Sequence, residues 1–250
     1  MYIKPIIQIS KLVKKYDEAT NNAVDSLDLQ IMEGDIFGLL GPNGTGKTTT
    51  ISMLCGLITT DSGNIIINEL DQKRNLEEIK KIIGVVPQEL ALYDNLTATE
   101  NLKFFGKMYG LDSKYLTSRI EFFLKKFSLT EKAHKLVSTF SGGMKRRLNL
   151  IAGILHSPKI LFLDEPTVGI DVQSKNVIIE YLKELNNQGT TIVYTSHLME
   201  EAENLCTNIS IIDFGKEIAK GTSKQLLNSN LDCNNLEEIF LKLTGRSVRE

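Results

Sequence analysis

A glycine-rich loop that follows an apolar run is the feature that most restricts the fold of this chain. The loop reads Gly41-Pro-Asn-Gly-Thr-Gly-Lys-Thr48, and the residues before it, 35–40, are mostly apolar. Residues 48–57, after it, have the spacing of a helix. A loop of this kind between a strand and a helix binds phosphate, because its backbone N–H groups and the helix N-terminus attract anions. The sequence therefore predicts a nucleoside triphosphate site on an α/β core.

The residues of this loop have separate predicted roles. The glycines bring the backbone close to phosphate oxygens, Lys47 reaches the β and γ phosphates, and the Thr48 hydroxyl coordinates Mg²⁺. The predicted nucleotide contacts of the loop are Gly41, Pro42, Asn43, Gly44, Thr45, Gly46, Lys47, Thr48 and Thr49. The alternative is a glycine turn that only resembles a phosphate loop, and the flanking strand and helix patterns disfavour it.

Two acidic residues end a later apolar run. Residues 160–163 have the pattern of a buried strand, and Asp164 and Glu165 follow directly. We expect Asp164 to orient the metal ion, and Glu165, which points elsewhere, to act as a general base on the attacking water. The alternative is that these acids merely begin a loop. The phosphate loop upstream favours the catalytic interpretation.

Composition restricts the location and partners of the protein. The 250 residues include 29 basic and 31 acidic side chains, and the net charge of -2 gives no overall attraction to nucleic acid or anionic membranes. The apolar stretches are shorter than the roughly 20 residues that cross a bilayer. The start of the chain is too short and interrupted for a signal peptide, which predicts a cytoplasmic protein. Cys55, Cys206 and Cys233 are expected to be buried or incidental thiols.

The hydrophobic pattern predicts an α/β fold, with an N-terminal antiparallel β part, a parallel sheet flanked by helices and a mostly helical insertion. Strands are predicted at 27–31, 35–40, 160–163, 190–194 and 209–212. Helices are predicted at 48–57, at 97–110 after a Thr97–Glu100 capping box, at 112–127, from Ser141 to before Pro158, and at 171–189.

The chain is expected to form a single domain over residues 1–250, with the helical part at about 90–155 and a helical tail at about 222–250. In the tail, one helical face carries Leu236, Ile239, Phe240 and Leu243. We expect this face to pack against the body of the protein, with Gly245 ending the helix. Contact with a partner is the less favoured alternative.

A further motif identifies a family. Phe140-Ser-Gly-Gly-Met-Lys-Arg-Arg147 resembles the signature of the ATP-binding subunit of ABC transporters, and the resemblance covers nearly the whole chain. Its Ser141, Gly142 and Gly143 offer a hydroxyl, close backbone approach and a helix N-terminus, which together make a second anion site. The resemblance implies a P-loop NTPase core and a head-to-tail dimer that binds ATP at each interface, either a homodimer or a pair with a related ATPase subunit.

The resemblance also implies roles for single residues outside these motifs. Gln88 is expected to contact Mg²⁺ or water, and His197 is expected to hold the γ-phosphate and the catalytic water. Tyr16 is expected to stack on adenine, with core packing as the alternative. Asp171, in Gly169-Ile-Asp171, would lie at the dimer interface. The remaining histidines, His134 and His156, match no motif and are expected to be structural or surface residues.

Some positions depart from the usual family pattern. Phe140 stands where Leu is common, Met144 where Gln is usual, and Thr45 where Ala or Ser is usual. Methionine at the position of Met144 also occurs in exporter-type members of the family. The tail at 236–246 resembles that of ATPases that pair with ABC-2 type permeases, including drug and antibiotic resistance proteins. These departures restrict the subfamily to which the chain is similar, and we still expect the protein to be catalytically active.

The sequence therefore predicts an ATP-hydrolysing subunit that uses ATP and Mg²⁺ to power a separate multi-span membrane permease, as an exporter, from the cytoplasmic face of the membrane. No nucleic acid partner is expected. Exposed apolar residues at 91–96, beside Gln88, suit a permease docking site. The alternatives are a soluble ABC ATPase that acts on ribosomes or DNA, and a regulatory nucleotide-binding module without turnover. The sequence does not name the cargo.

Overall fold

Two sheets and the helices around them form the described part of the protein. The computed structural model describes residues 4–17 and 19–245. The strands are β1 (Pro5–Lys14), β2 (Val24–Met32), β3 (Ile36–Leu40), β4 (Ser62–Ile67), β5 (Leu70–Asp71), β6 (Ile83–Val86), β7 (Ile160–Asp164), β8 (Thr191–Ser196), β9 (Asn208–Asp213) and β10 (Lys216–Gly221). The helices are α1 (Lys47–Leu54), α2 (Leu76–Ile82), α3 (Ala98–Met108), α4 (Ser113–Lys126), α5 (Gly142–Ile154), α6 (Val172–Asn187), α7 (Met199–Leu205), α8 (Ser223–Asn228) and α9 (Leu236–Thr244).

The larger sheet has the strand order β10-β9-β3-β8-β7-β6 and is parallel from β9 to β6. The smaller sheet has the order β2-β1-β4-β5, and its strands pair antiparallel. The predicted combination of a parallel α/β core with an N-terminal antiparallel part is therefore confirmed.

Apolar side chains cover both faces of the parallel sheet, as expected for strands that are buried on two sides. On one face, Phe37 and Phe162 join a cluster with the antiparallel sheet and α1. On the other face, Leu161 and Leu163 join a cluster with α3, α4, α5 and α6. This double burial explains the continuous apolar runs in the sequence.

Several helix starts agree with the sequence signals, whereas α1 ends at Leu54, three residues before the predicted end at 57. The predicted capping box is present, because the Thr97 and Glu100 side chains each bond to the other's backbone N–H. Helix α4 begins after Asp112, whose side chain accepts hydrogen bonds from the first turn. The predicted helix start at Asp171 and strand start at Thr190 are each one residue early, since Asp171 is the N-cap of α6 and Thr190 precedes β8.

The last described helix packs largely as expected. In α9, Leu236, Ile239 and Phe240 are buried against α7, α8 and β9, and Gly245 ends the helix with a left-handed backbone. Leu243 is 45% exposed, so the prediction that it shares the buried face is wrong. The end of the predicted tail, including Arg246, and the start of the chain at 1–3 lie outside the described residues. No helix within the described ranges is long and apolar enough to cross a bilayer.

The fold gathers the sequence motifs at one edge. Strands β3, β8, β7 and β6 are neighbours and run parallel, so their carboxyl ends meet at the same side of the sheet. The phosphate loop follows β3, His197 follows β8, Asp164 ends β7, and Gln88 follows β6. Ligands of open parallel sheets bind at this edge.

Candidate active site

The phosphate loop is held by close backbone contacts. A Cβ atom added at Gly41 would lie 2.3 Å from the carbonyl oxygen of Ile212. At Gly46, where the backbone φ is +101°, it would lie 2.2 Å from the carbonyl oxygen of Ala23. Glycine is therefore required at both positions, on steric grounds at the first and on steric and conformational grounds at the second.

Lys47 lies at the centre of the loop with its ammonium group buried. Its Nζ donates to the carbonyl oxygens of Gly41 at 2.7 Å and Pro42 at 2.9 Å, and lies 3.4 Å from Oε1 of Glu165. Burial lowers the pKa of Lys47, and the neighbouring Glu165 carboxylate opposes that shift. The loop thus presents a fixed positive charge next to a carboxylate.

Glu165 connects three of the predicted site residues. Its Oε1 faces Lys47, and its Oε2 lies 3.1 Å from Nδ1 of His197 and accepts from Nε2 of Gln88 at 3.4 Å. The backbone of Glu165 has a φ of +47°, a left-handed value that is uncommon for residues other than glycine. A buried carboxylate next to an imidazole and an amide suits proton abstraction from a water molecule.

A cross-strand threonine holds both acids. Thr195 of β8 pairs with Asp164 of β7, and its Oγ1 donates to Oδ1 of Asp164 at 2.6 Å. The same oxygen accepts the backbone N–H of Glu165 at 3.0 Å. Sequence reasoning missed Thr195, because its role depends on the register of two strands that are far apart in the chain. The one sequence signal that could have found Thr195 was its hydroxyl side chain in an otherwise apolar strand.

A cavity of about 390 Å³ adjoins the phosphate loop. Its lining residues are Tyr16, Ala23, Asn43, Gly44, Gly46, Lys47, Thr48, Thr49, Gln88 and Glu165. Tyr16 is exposed rather than packed in a core, and its hydroxyl lies 3.4 Å from Oγ1 of Thr49. His197 and Asp164 lie beside the cavity through their contacts with Glu165 and Thr195.

The donors at this cavity fit a magnesium ion. Thr48 contributes an exposed hydroxyl and Gln88 an amide oxygen to the lining, and the buried carboxylate of Asp164 lies beside the cavity. Oxygen donors are what Mg²⁺ prefers. When bound, Mg²⁺ neutralises charge on the terminal phosphates.

The signature residues lie apart from the other site residues. Ser141 is the N-cap of α5, where its Oγ accepts the backbone N–H of Met144 at 3.3 Å. Ser141 and Gly142 are exposed, and both lie outside the residues that line the phosphate cavity. Gly143 is buried where an added Cβ would lie 2.3 Å from Oγ of Ser174. The chain therefore offers a second helix N-terminus on a separate part of its surface.

The comparisons with known proteins agree with this geometry. The sequence profile described as ABC transporter matches residues 24–168, which includes the phosphate loop, the signature and both acids. The chain belongs to the ABC transporter family. It is an ATP-binding subunit of that family and an ATPase, and it uses ATP with Mg²⁺.

Relatives and a solved structure support the same assignment. The linearmycin resistance ATP-binding protein LnrL of Bacillus subtilis is 49% identical over 98% of this chain and 76% of its own length. The Nod factor export ATP-binding protein I of Cupriavidus metallidurans is 40% identical over 93% of this chain and 76% of its own length. A structure described as the ATP binding subunit of an ABC transporter is 27% identical and superposes with a TM-score of 0.87, covering 96% of this chain and 99% of that one.

In this ABC ATPase, the signature helix α5 holds the segment that contains Gln88. The buried guanidinium of Arg146 donates to the carbonyl oxygens of Gln88 at 2.6 Å and Pro87 at 3.4 Å. Asn149 accepts the backbone N–H of Ala91 at 3.3 Å and donates to Pro87 at 3.4 Å. Burial lowers the pKa of Arg146. Sequence reasoning placed Arg146 in the signature but missed the contacts of Arg146 and Asn149 with the Gln88 segment.

We expect the change Arg146→Ala to destabilise the protein by about 1–3 kcal/mol, because it leaves two carbonyl groups without their charged donor. Urea unfolding of the purified chain measures this free energy directly. Lys125→Ala, on the exposed last turn of α4, is the control and should change stability by less than about 0.5 kcal/mol. Equal stability of the Arg146 variant and the wild type would contradict this role of the guanidinium.

The other polar residues singled out in the sequence, Asp171, His156 and His134, lie outside the lining of the phosphate cavity. Asp171 caps α6, and its pKa is lowered by hydrogen bonds from the backbone and hydroxyl of Ser174. His156 stacks on Tyr109 with ring centroids 3.5 Å apart and bonds to the carbonyl of Ile83, and burial lowers its pKa. His134 is exposed. Both histidines thus lie away from the phosphate cavity, as predicted.

The cysteines are free thiols. Cys55 is buried, and Cys206 and Cys233 are half-buried. Burial raises the pKa of Cys55 and Cys206, which keeps those thiols protonated and unreactive.

Proposed function

We propose that this ABC ATPase hydrolyses ATP with Glu165 as the general base, His197 as the contact to the γ-phosphate and Lys47 as the positive anchor for the terminal phosphates. The observation that carries the proposal is the arrangement around Glu165, whose carboxylate contacts Lys47 on one side and His197 and Gln88 on the other. Thr48, Gln88 and Asp164 would hold the metal ion. Tyr16 and the loop residues from Gly41 to Thr49 would hold the nucleotide.

The active form would be a dimer. Ser141, Gly142 and Gly143 form a helix N-terminus outside the phosphate cavity of the same chain, and this helix N-terminus would bind an anion. A second subunit in head-to-tail orientation would bring these residues to the terminal phosphate of the first. Asp171, beside Gly143, would lie at that interface.

We infer that residues 1–250 form one domain, with a helical part at about 90–155 and a helical tail at about 222–250.

The subunit would power an exporter through a separate membrane permease, at the cytoplasmic face of the membrane. The relatives described above are named for linearmycin resistance and for Nod factor export, and they align with more than nine-tenths of this chain. Neither name points to ribosomes or DNA. The net charge of -2 gives no support to a nucleic acid partner.

An exposed aromatic cluster supports a docking site near Gln88. Tyr93 is 47% exposed, and its ring packs edge-on against the exposed Phe104 with centroids 5.1 Å apart. Met108, one turn further along α3, is also exposed. The Asn101 side chain bonds to both the N–H and the carbonyl of Tyr93, which fixes the loop. Rigid exposed aromatic residues are typical of protein contacts.

Recovery of the membrane partner tests this proposal. The tagged full chain is purified from gently solubilised native membranes, and the proteins that accompany it are identified by mass spectrometry. We expect a multi-span permease with the wild type and a loss of about tenfold or more with Tyr93→Asp, because a buried charge weakens an apolar contact. Tyr115→Asp is the matched control, since Tyr115 is also a tyrosine that is 47% exposed, on α4.

Two results would contradict parts of the proposal. Equal permease recovery with Tyr93→Asp and Tyr115→Asp would exclude the Tyr93 site as the docking surface. Recovery of ribosomal or DNA-repair proteins without any membrane protein would exclude the transporter role and favour the soluble ATPase.

A further inference from the structure

A buried carboxylate that belongs to no recognised motif lies behind the active site. Glu201 of α7 is almost fully buried. Its Oε1 accepts hydrogen bonds from Oγ1 of Thr167 at 2.5 Å and from the hydroxyl of Tyr194. Its Oε2 forms an ion pair with Nζ of Lys175 at 2.5 Å. Two hydroxyl donors and one ammonium group therefore converge on a single side chain.

These partners come from segments that carry the proposed catalytic residues. Thr167 lies two residues after Glu165, and Tyr194 lies three residues before His197. Glu201 itself lies four residues after His197. Lys175 lies in the first turns of α6, just after Asp171. The carboxylate of Glu201 is thus bonded both to the segment of Glu165 and to the segment of His197.

The backbone at Glu165 needs such support. Its φ of +47° is unfavourable for a residue with a side chain, and such conformations persist where surrounding contacts hold them. Thr195 holds the Glu165 N–H from one side. The bond from Thr167 to Glu201 holds the chain two residues further on. Without it, the Glu165 carboxylate would lose part of what keeps it 3.1 Å from His197.

We propose that Glu201 is a positioning residue, which fixes Glu165 relative to His197 through its bonds to Thr167 and Tyr194 and links this geometry to α6 through Lys175. The inference rests on the catalytic roles proposed above for Glu165 and His197. A carboxylate suits this position because it only accepts hydrogen bonds and can satisfy both hydroxyls and the ammonium group at once. A buried network of this kind, with two hydroxyls on one carboxylate oxygen and an ammonium group beside the other, favours one arrangement of the segments that it joins.

The main test is Glu201→Gln in the full chain, which keeps the shape of the side chain and removes its charge. An amide nitrogen would present a donor to groups that are themselves donors, so the network would lose at least one bond. We expect kcat for ATP to fall about 10- to 100-fold with KM changed less than about twofold, because misplacement of a catalytic group lowers the rate without removing substrate contacts. Glu200→Gln, on the exposed side of α7, is the matched control and should retain wild-type kcat.

A second measurement separates positioning from stability. The chain has three histidines, so the ring nitrogens of His134, His156 and His197 can be followed individually by ¹⁵N NMR. We expect Glu201→Gln to shift the signals of His197 and to leave those of His134 and His156 in place. Tyr194→Phe, which removes a hydroxyl and keeps the ring in the core, should shift the same signals and provides the test if the Glu201 variant fails to fold.

The outcomes are distinguishable. A fall in kcat that matches the unfolded fraction, with unchanged His197 signals in both variants, would overturn the positioning role and leave only a structural one. A rise in KM with unchanged kcat would also overturn it. Absence of ATP hydrolysis by the wild-type chain with its permease would contradict the proposed function instead, while the His197 signals would still decide whether Glu201 positions that residue.

Discussion

Replacement of Glu165 by glutamine should lower kcat for ATP hydrolysis by about 10²- to 10⁴-fold, the usual contribution of a general base. Glutamine keeps the size of the side chain and its hydrogen-bonding reach toward His197 and Gln88, but it does not accept the proton of the attacking water. The binding of ATP should remain, because the phosphate loop is unchanged. We therefore expect a variant that binds ATP and accumulates as a closed dimer.

Phosphate release measures the rate, fluorescent ATP binding measures the affinity, and gel filtration with ATP and Mg²⁺ measures the dimer. Glu121→Gln, at an exposed position on α4, is the control for the loss of one negative charge. Turnover of the Glu165 variant within about threefold of wild type would exclude Glu165 as the base, since a general base contributes far more than that.

Replacement of Lys47 by alanine should lower the affinity for ATP by about 10- to 100-fold, because each charge-assisted hydrogen bond contributes about 1.5–3 kcal/mol. The Lys47 side chain is 4% exposed, and its ammonium group is already held by the carbonyl groups of Gly41 and Pro42. It is therefore in place before the nucleotide arrives, and little conformational entropy is lost on binding. The change also leaves Glu165 without its cationic neighbour.

Isothermal titration with ATP measures this affinity, and urea unfolding of the same samples shows whether the variant is folded. Lys80→Ala is the control, because Lys80 pairs with Glu77 on the surface of α2, away from the cavity. If alanine at 47 disrupts folding, Lys47→Gln provides the same test with a polar side chain. Unchanged affinity in a folded variant would contradict the assignment of Lys47 as the anchor.

Local signals in the sequence were sufficient for many of the elements and for the motifs at their ends. Thr97 with Glu100 and Asp112 begin α3 and α4 through hydrogen bonds within a few residues, so each helix start depends on neighbouring residues alone. The alternation at 27–31 and the apolar run at 160–163 likewise reflect which faces of a strand are buried. Some errors concern the elements themselves, since α6 and β8 begin one residue later than predicted and strands such as β4 and β10 were not predicted. Others concern contacts with distant residues, such as the exposed Leu243 at the end of α9.

The sequence by itself determined the α/β class, the phosphate loop, the acid pair and the family, because each depends on residue types at short, fixed spacings. Only the tertiary structure decided which side chains meet. Thr195 reaches Asp164 across a strand pair, Arg146 reaches the Gln88 segment from α5, and Glu201 joins the segments of Glu165 and His197. Apart from the bond between Tyr194 and Glu201, which lie seven residues apart, these contacts join residues more than 30 positions apart in the sequence. The parallel strand order makes them possible, because it brings distant carboxyl ends to one edge of the sheet.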